Sequence, residues 1–333
     1  MQSFFMKNNV TIVLTLLLIL LSGLSMISGQ VAISVSDLWS SNGDAVSEVS
    51  QIILWKIRLP RVLLAIIIGW GLGLAGAAIQ GLLQNPLAEP MILGTGNAAA
   101  LGAVLVIYIG LQSTLSWAVP AAASFLAVLS VLFLLALMRR STSSARLILA
   151  GFALSAFCGA LISLALNLSP NVYAALEIAY WLLGSVENRS MGHVVLALAP
   201  IGIGSFLLFL CGRGYGVLSL GADTAQSLGV SIRKLQGLSI CGVALICGGV
   251  VSVAGVIGFV GLVVPHIIRP FYGHHPQRIL LPSAILGAFL VLSADTLIRF
   301  IQTPVELKLG VITALLGVPV FLIIIFRNHK QND

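Results

Sequence analysis

The chain has 333 residues, of which 59% are hydrophobic and 8% charged, with a mean hydropathy of +1.09. A soluble domain carries about 25% charged residues, so there is too little polar sequence here to cover a water-soluble surface. The net charge of +7 does not indicate nucleic acid, because the 17 Lys and Arg are dispersed among helix ends with no basic face or aromatic-interleaved stripe.

No Asp, Glu, Lys or Arg occurs in residues 90–138, 147–176 or 235–268, and a bilayer-crossing helix needs only about 20 apolar residues. The first apolar run, Val10 to Met26, follows Lys7 and lacks an A-x-A cleavage site, so it is expected to be a retained span and not a removed signal peptide. Further spans are expected near 60–83, 91–110, 117–138, 145–167, 192–211, 236–257, 258–270, 280–300 and 308–326. With the first, near 8–28, they make about ten transmembrane helices in a single domain over residues 1–333. The span at 258–270 is short and crowded with Gly and Pro, which suggests a partial helix, and 171–186 reads as an amphipathic helix near the surface. Backbone groups in hydrocarbon must be satisfied internally, which forces helices here; a barrel would show short alternating segments instead.

Between the second and third spans, Asn85 and Pro86 in Gln84-Asn85-Pro86-Leu87-Ala88-Glu89-Pro90 dictate a rigid turn. That turn leaves Gln80, Gln84 and Glu89 less accounted for. Glycines at 69, 71, 73 and 76 in the second span, and at 248, 249, 255, 258 and 261 later, allow close helix approach. Cys158, Cys211, Cys241 and Cys247 lie in or at the end of apolar stretches without a CxxC pair and read as small hydrophobes.

The longest loop, 212–235, contains Gly221-Ala222-Asp223-Thr224-Ala225-Gln226-Ser227-Leu228-Gly229. Asp223 is expected to cap a short helix with Ala225 and Leu228 on its apolar face, and Gly229 to end it. Such a helix suits a groove on a partner; one resting on lipid headgroups is the plain alternative. Pro265, His266 and Arg269 end the 258–270 span and could line a path or a gate, although no second ligand at metal spacing accompanies His266. Asp295 is an acid in an apolar span four residues before Arg299, a spacing that puts both on one helix face.

With the N-terminus inside, Lys7, Arg139, Arg140, Arg146, Arg213, Arg233, Lys234, Arg269, Arg278, Arg327 and Lys330 face the cytoplasm. Lys56, Arg58, Arg61, Arg189, Arg299 and Lys308 then face outward. This outward group is random scatter or a docking surface for an acidic partner. No GxxxxGK[ST], HExxH or GxSxG motif and no paired intramembrane carboxylates occur, so neither ATP hydrolysis nor other catalysis is expected of this chain. A secondary transporter would need coupling residues at mid-membrane, and Asp295 is a lone candidate near an end.

Arg58-Leu59-Pro60-Arg61, Gln84 through Pro90, Ser227-Leu228-Gly229-Val230, Gly258 through Arg269, and Leu309-Gly310 with Leu316 through Phe321 occur in this order between about Trp55 and Arg327. Together they resemble the permeases of binding-protein-dependent ABC importers for iron(III) siderophores, haem and vitamin B12, the FecCD or BtuC-like family. The resemblance implies an all-α polytopic protein of ten helices in the bacterial cytoplasmic (inner) membrane, with both termini cytoplasmic. It implies a second permease subunit, identical or homologous, with the path between the two. It also implies a cytoplasmic ABC ATPase dimer that uses ATP and Mg and grips the loop around Gly221, Ala222, Asp223, Ala225, Gln226, Ser227, Leu228 and Gly229. A periplasmic or lipid-anchored binding protein would dock its acids on Arg58, Arg61 and Arg299, with Lys56 and Lys308 as lesser additions. Asn85, Pro86, Glu89, Pro265, His266 and Asp295 are expected to be structural or gating residues. No cofactor or metal is expected on this chain, since a bulky chelate needs a weakly binding path. An iron(III)-siderophore is the expected cargo, as the commonest role in the family; haem and vitamin B12 are the alternatives.

Overall fold

Backbone amides in hydrocarbon must find their partners within the protein, and the computed structural model is helical, with no strand among the described residues. These are residues 2–29, 45–115, 117–138, 143–273, 275–301 and 307–329. Arg139, Arg140 and Lys330, counted above in the charge balance, fall outside them.

Helix α1 covers Gln2–Ile27. Helix α2, Ala45–Ile52, runs through a π-helical turn, Ile53–Arg58, directly into α3, Leu59–Leu83. Pro60 explains the wide turn, because proline has no N–H to donate and its ring collides with the carbonyl one turn back. The helix therefore begins well before the expected residue 60; the polar residues of α2 hide it from a hydropathy reading. A 3-10 turn, Pro90–Leu93, leads into α4, Thr95–Tyr108. Then follow α5, Ala118–Met138, and α6, Ser144–Asn167. The expected surface helix at 171–186 is α7, Val172–Leu182, started by Asn171, whose side chain accepts the Ala174 N–H at 2.9 Å. Next come α8, Met191–Leu210, and two short helices, α9, Gly212–Leu218, and α10, Ala222–Ser227. The chain closes with α11, Ile232–Ala254, α12, Val260–Tyr272, α13, Pro276–Phe300, and α14, Leu309–His329.

Seven described helices are long and apolar enough to cross a membrane. The third, eighth and tenth expected spans are helices whose apolar runs are shorter, at Thr95–Tyr108, Val260–Tyr272 and Leu309–Leu322. Helices α3 and α11 form the centre, each 78% buried over its most apolar window, whereas α1 is only 6% buried and lies at the rim. Lipid tails are as apolar as leucine, so close van der Waals packing takes the place of a hydrophobic drive between helices. α3 and α13 run antiparallel, with Gly69 against Gly287 and Gly73 against Ser283; a Cβ on Gly69 would overlap the Gly287 carbonyl oxygen. Gly76 meets the Gly261 backbone of α12 in the same way. Because Gly261 lies beside Leu72 and Gly76, deep along α3, helix α12 starts inside the bundle. This is the partial helix expected from the Gly and Pro content of 258–270.

Candidate functional site

Polar side chains collect in three places along α3. At its N-terminal end, the Arg61 Nε donates to both oxygens of Asp295, at 2.9 and 3.1 Å. Arg299 reaches the same carboxylate one turn along α13, with Nη2 at 2.5 Å, and its Nη1 donates to the Ser25 carbonyl at 2.9 Å. Asp295 is 1% exposed, so two guanidiniums balance a charge that hydrocarbon would not tolerate alone. The i,i+4 pair with Arg299 is as the spacing predicts; Arg61 as a second partner has no local signal. Arg58, only 5% exposed, donates to the Met26 and Ile27 carbonyls at 2.9 and 2.6 Å and so caps the C-terminus of α1. It thus holds helix ends together rather than presenting an open guanidinium, while its neighbour Lys56 is exposed.

The connections at this same end are tied together. Lys308 Nζ lies 3.0 Å from the Glu187 carboxylate and 5.7 Å from the centre of the Tyr180 ring. The Ser185 N–H donates to the Ala254 carbonyl at 2.7 Å, and the Gly310 N–H to that of Gly184 at 3.3 Å. The Arg189 guanidinium lies over the Trp181 ring at 4.9 Å. Burial there lowers its pKa below the ordinary arginine value, against the opposing pull of Glu187.

The second place is inside the bundle. Glu89 Oε1 accepts the Phe259 N–H at 2.8 Å, placing a carboxylate at the N-terminus of α12, where the helix dipole and the free amides favour an anion. Phe259 reaches this position with φ of +67°, so a backbone amide, invisible to sequence reading, is the partner of Glu89. Asn85 and Pro86 form the expected turn, with the Leu87 N–H donated to Asn85 Oδ1 at 2.9 Å.

The third place is the far end of α3. Gln80 Nε2 donates to the Gly261 and Leu262 carbonyls at 3.3 Å, and its Oε1 accepts from Arg269 at 2.5 Å. Gln84 donates to the Leu218 carbonyl of α9, so the two glutamines join α3 to α12 and to the long loop. Pro265 is buried in α12, and the His266 ring contacts the Leu262 carbonyl at 3.1 Å and packs edge-on to Phe321. No group of three or more metal-ligating side chains occurs among the described residues.

The 212–235 loop, which Gln84 meets at Leu218, forms the short helix expected there, with two corrections. Gly221 is the residue before the first turn of α10, with φ of +103°, and Asp223 lies within that turn, where it still complements the dipole. Ala225 is buried, but Leu228, the residue that closes the helix, is 62% exposed. A six-residue helix is too short to bury both faces. Its end is a Schellman motif: the Gly229 N–H bonds to the Gln226 carbonyl and the Val230 N–H to that of Ala225, each at 2.9 Å. Gly229, with φ of +85°, has open space around it. Leu220 and Leu228 thus stand exposed on either side of a turn whose exposed polar residues are Asp223, Thr224, Gln226 and Ser227.

Residues 15–327 match the FecCD transport family. An uncharacterized ABC transporter permease, YvrB of Bacillus subtilis (strain 168), is 42% identical over 283 residues, covering 84% of this chain and 80% of its own length. The vitamin B12 import system permease protein BtuC of Escherichia coli O127:H6 is 36% identical over 316 residues, 93% of this chain and 94% of that protein. A solved structure described as an inward-facing conformation of a metal-chelate type ABC transporter superposes with a TM-score of 0.84 at 28% identity, covering 96% of this chain and 99% of that one.

Proposed function

The chain belongs to the FecCD transport family, and from that membership we propose that it is the permease through which a corrinoid of the vitamin B12 class enters the cell. Its role within the family is that of a permease subunit of an ABC importer for a metal-chelate or B12-type substrate, in the membrane and without catalysis of its own. Permeases of this family are transport subunits, and hydrolysis belongs to another chain.

The cargo proposed here is the alternative named above, in place of the iron(III)-siderophore expected first. That expectation rested on how common the role is, and no residue argued for it. Support for the corrinoid comes from likeness along nearly the whole chain to permeases whose names state vitamin B12 import. The observation that carries the permease reading itself is the exposed α10 turn, flanked by Leu220 and Leu228, at the end of α3 away from the arginine cluster. The α10 turn offers an open surface at one end, and at the other the exposed Lys56 stands beside arginines already tied to Asp295 and to the α1 carbonyls.

In this reading ten helices span the inner membrane with both termini in the cytoplasm, and a second permease subunit completes the path. A loaded binding protein engages the end where Arg58, Arg61 and Arg299 gather. ATP binding then closes the ATPase dimer on the cytoplasmic face. The α10 turn transmits the movement, and Gln84 and Gln80 link it to α3 and α12. The cargo crosses unchanged. Uptake of radiolabelled cobalamin, ferric siderophore and haem by a strain lacking this gene, with and without a plasmid copy, tests the cargo. Gene-dependent cobalamin uptake is expected; gene-dependent uptake of ferric siderophore alone would contradict it.

A further inference from the structure

Non-helical backbone at membrane depth is tolerated only where protein or a water-filled cavity surrounds it, and residues 255–259, between α11 and α12, are such a stretch. Its first part is held by close backbone contacts. A Cβ on Gly255 would overlap the Trp181 carbonyl oxygen in α7, and one on Gly184 would overlap that of Val256. Gly310, in the first turn of α14, lies against the carbonyls of both Leu183 and Val256. Residues 255–257 therefore form one body with the end of α7 and the start of α14.

Beyond Phe259 the chain belongs to a second body. Gly261 packs on the Gly76 backbone of α3 and on the Pro90 ring, so α12 starts fixed to α3 and to the turn that carries Glu89. Gly258 and Phe259 join the two bodies. A Cβ on Gly258 would meet only Glu89 Oε1, at 3.5 Å, so this residue has room. Phe259, with φ of +67°, occupies the left-handed region that a bulky side chain rarely enters. Two contacts hold it there. Glu89 takes its N–H, and Gly317 of α14 is so close that a Cβ there would come within 2.6 Å of the Phe259 Cβ.

The strain of a left-handed bulky residue and the gain from a hydrogen bond to a carboxylate are of the same order and opposite in sign. A small bias therefore decides between two states: closed, with the Phe259 N–H on Glu89, and open, with φ back in the ordinary range and the bond broken. We propose that Gly258–Phe259 is a hinge between α12 and the α7–α14 side of the bundle, worked during transport, and that Glu89 is the positioning residue that closes it. A shift of α14 reaches the hinge through Gly317 and the Phe259 side chain, and a shift of the Asn85–Pro90 turn reaches it through Glu89. Both ends of the chain thus bias one two-state element, which is the physical requirement for coupling between them. The hinge rests on the permease reading, not on the identity of the cargo.

Hydrogen exchange read by mass spectrometry over residues 255–262 tests this on the full chain, purified in detergent with the ATPase that accompanies it, without nucleotide and trapped with ATP and orthovanadate. The Phe259 amide is expected to exchange about ten-fold faster in one state than in the other, the worth of a hydrogen bond to a charged group. Glu89→Ala should make exchange fast in both states, and Glu89→Gln, whose side-chain oxygen still accepts, should restore the difference. A fixed structural cap would protect the amide equally in both states of the wild type, and that result would overturn the proposal. So would a difference that survives Glu89→Ala, or one that Glu89→Gln fails to restore. Should Glu89→Ala not fold, Glu89→Asp takes its place, keeping the charge one carbon short of the amide. If no ATPase accompanies the chain, the permease reading is what fails. The hinge then stands or falls on the chain alone, where Glu89→Ala has to speed exchange of the Phe259 amide.

Discussion

Asp295 and Glu187 show how strongly surroundings set the worth of an ion pair. Asp295 is buried between Arg61 and Arg299, whereas the Glu187–Lys308 pair is 26% and 18% exposed. Removing one partner of a buried pair costs about 3–5 kcal/mol because the remaining charge is stranded; a fully exposed pair is worth about 0–1 kcal/mol, and the half-buried Glu187–Lys308 pair lies between the two. Asp295→Ala should therefore lower the melting temperature in detergent sharply, and Glu187→Ala should lower it by clearly less; equal shifts would contradict the burial argument. Arg61→Ala leaves Arg299 alone to balance Asp295 and should lower stability; if Arg61 belongs to the proposed docking surface, it should also weaken binding-protein affinity of the folded, reconstituted protein without releasing the ATPase, and unchanged affinity would remove it from that surface. Asp295 with Arg299 was legible from four-residue spacing alone. Arg61 was not, because its partner lies 234 residues away. Arg58 was read as a surface cation because sequence shows the charge but not the α1 carbonyls that hold it.

The helices were legible where a long apolar run coincided with one element, as in α5, α6 and α8. They were obscured where polarity and geometry diverged. The polar α2 extends the second span through a π turn, and α12 begins inside the bundle because Gly76 and Gly261 let two backbones touch. Gly76→Val should thus abolish accumulation of folded protein in the membrane, since its side chain would meet the Gly261 backbone; normal yield and stability would refute the packing. The α10 turn was legible from Gly221 and Gly229, yet a binary apolar pattern wrongly paired Leu228 with Ala225. As Leu228 is exposed, Leu228→Asp should leave the melting temperature unchanged while reducing the fraction of ATPase that co-purifies. A stability loss without ATPase loss would make Leu228 a structural residue.

The molecule is a helical bundle whose described ionic groups, Glu89 apart, gather at two ends, separated by α3, a helix of 25 residues and hence about 37 Å. Low charge and long apolar runs made the membrane environment readable, and the order of several short motifs made the family readable. The cargo was not readable, because a weakly binding path leaves no ligand set to recognise. The account depends on the two ends facing opposite compartments. Lys56 and Asp223 are both exposed, one at each end, so single substitutions Lys56→Cys and Asp223→Cys report on each, with the wild-type chain as the blank for its own cysteines. A membrane-impermeant thiol reagent should label Lys56→Cys on intact cells and Asp223→Cys in inverted vesicles. Labelling of both from the same side would contradict the account.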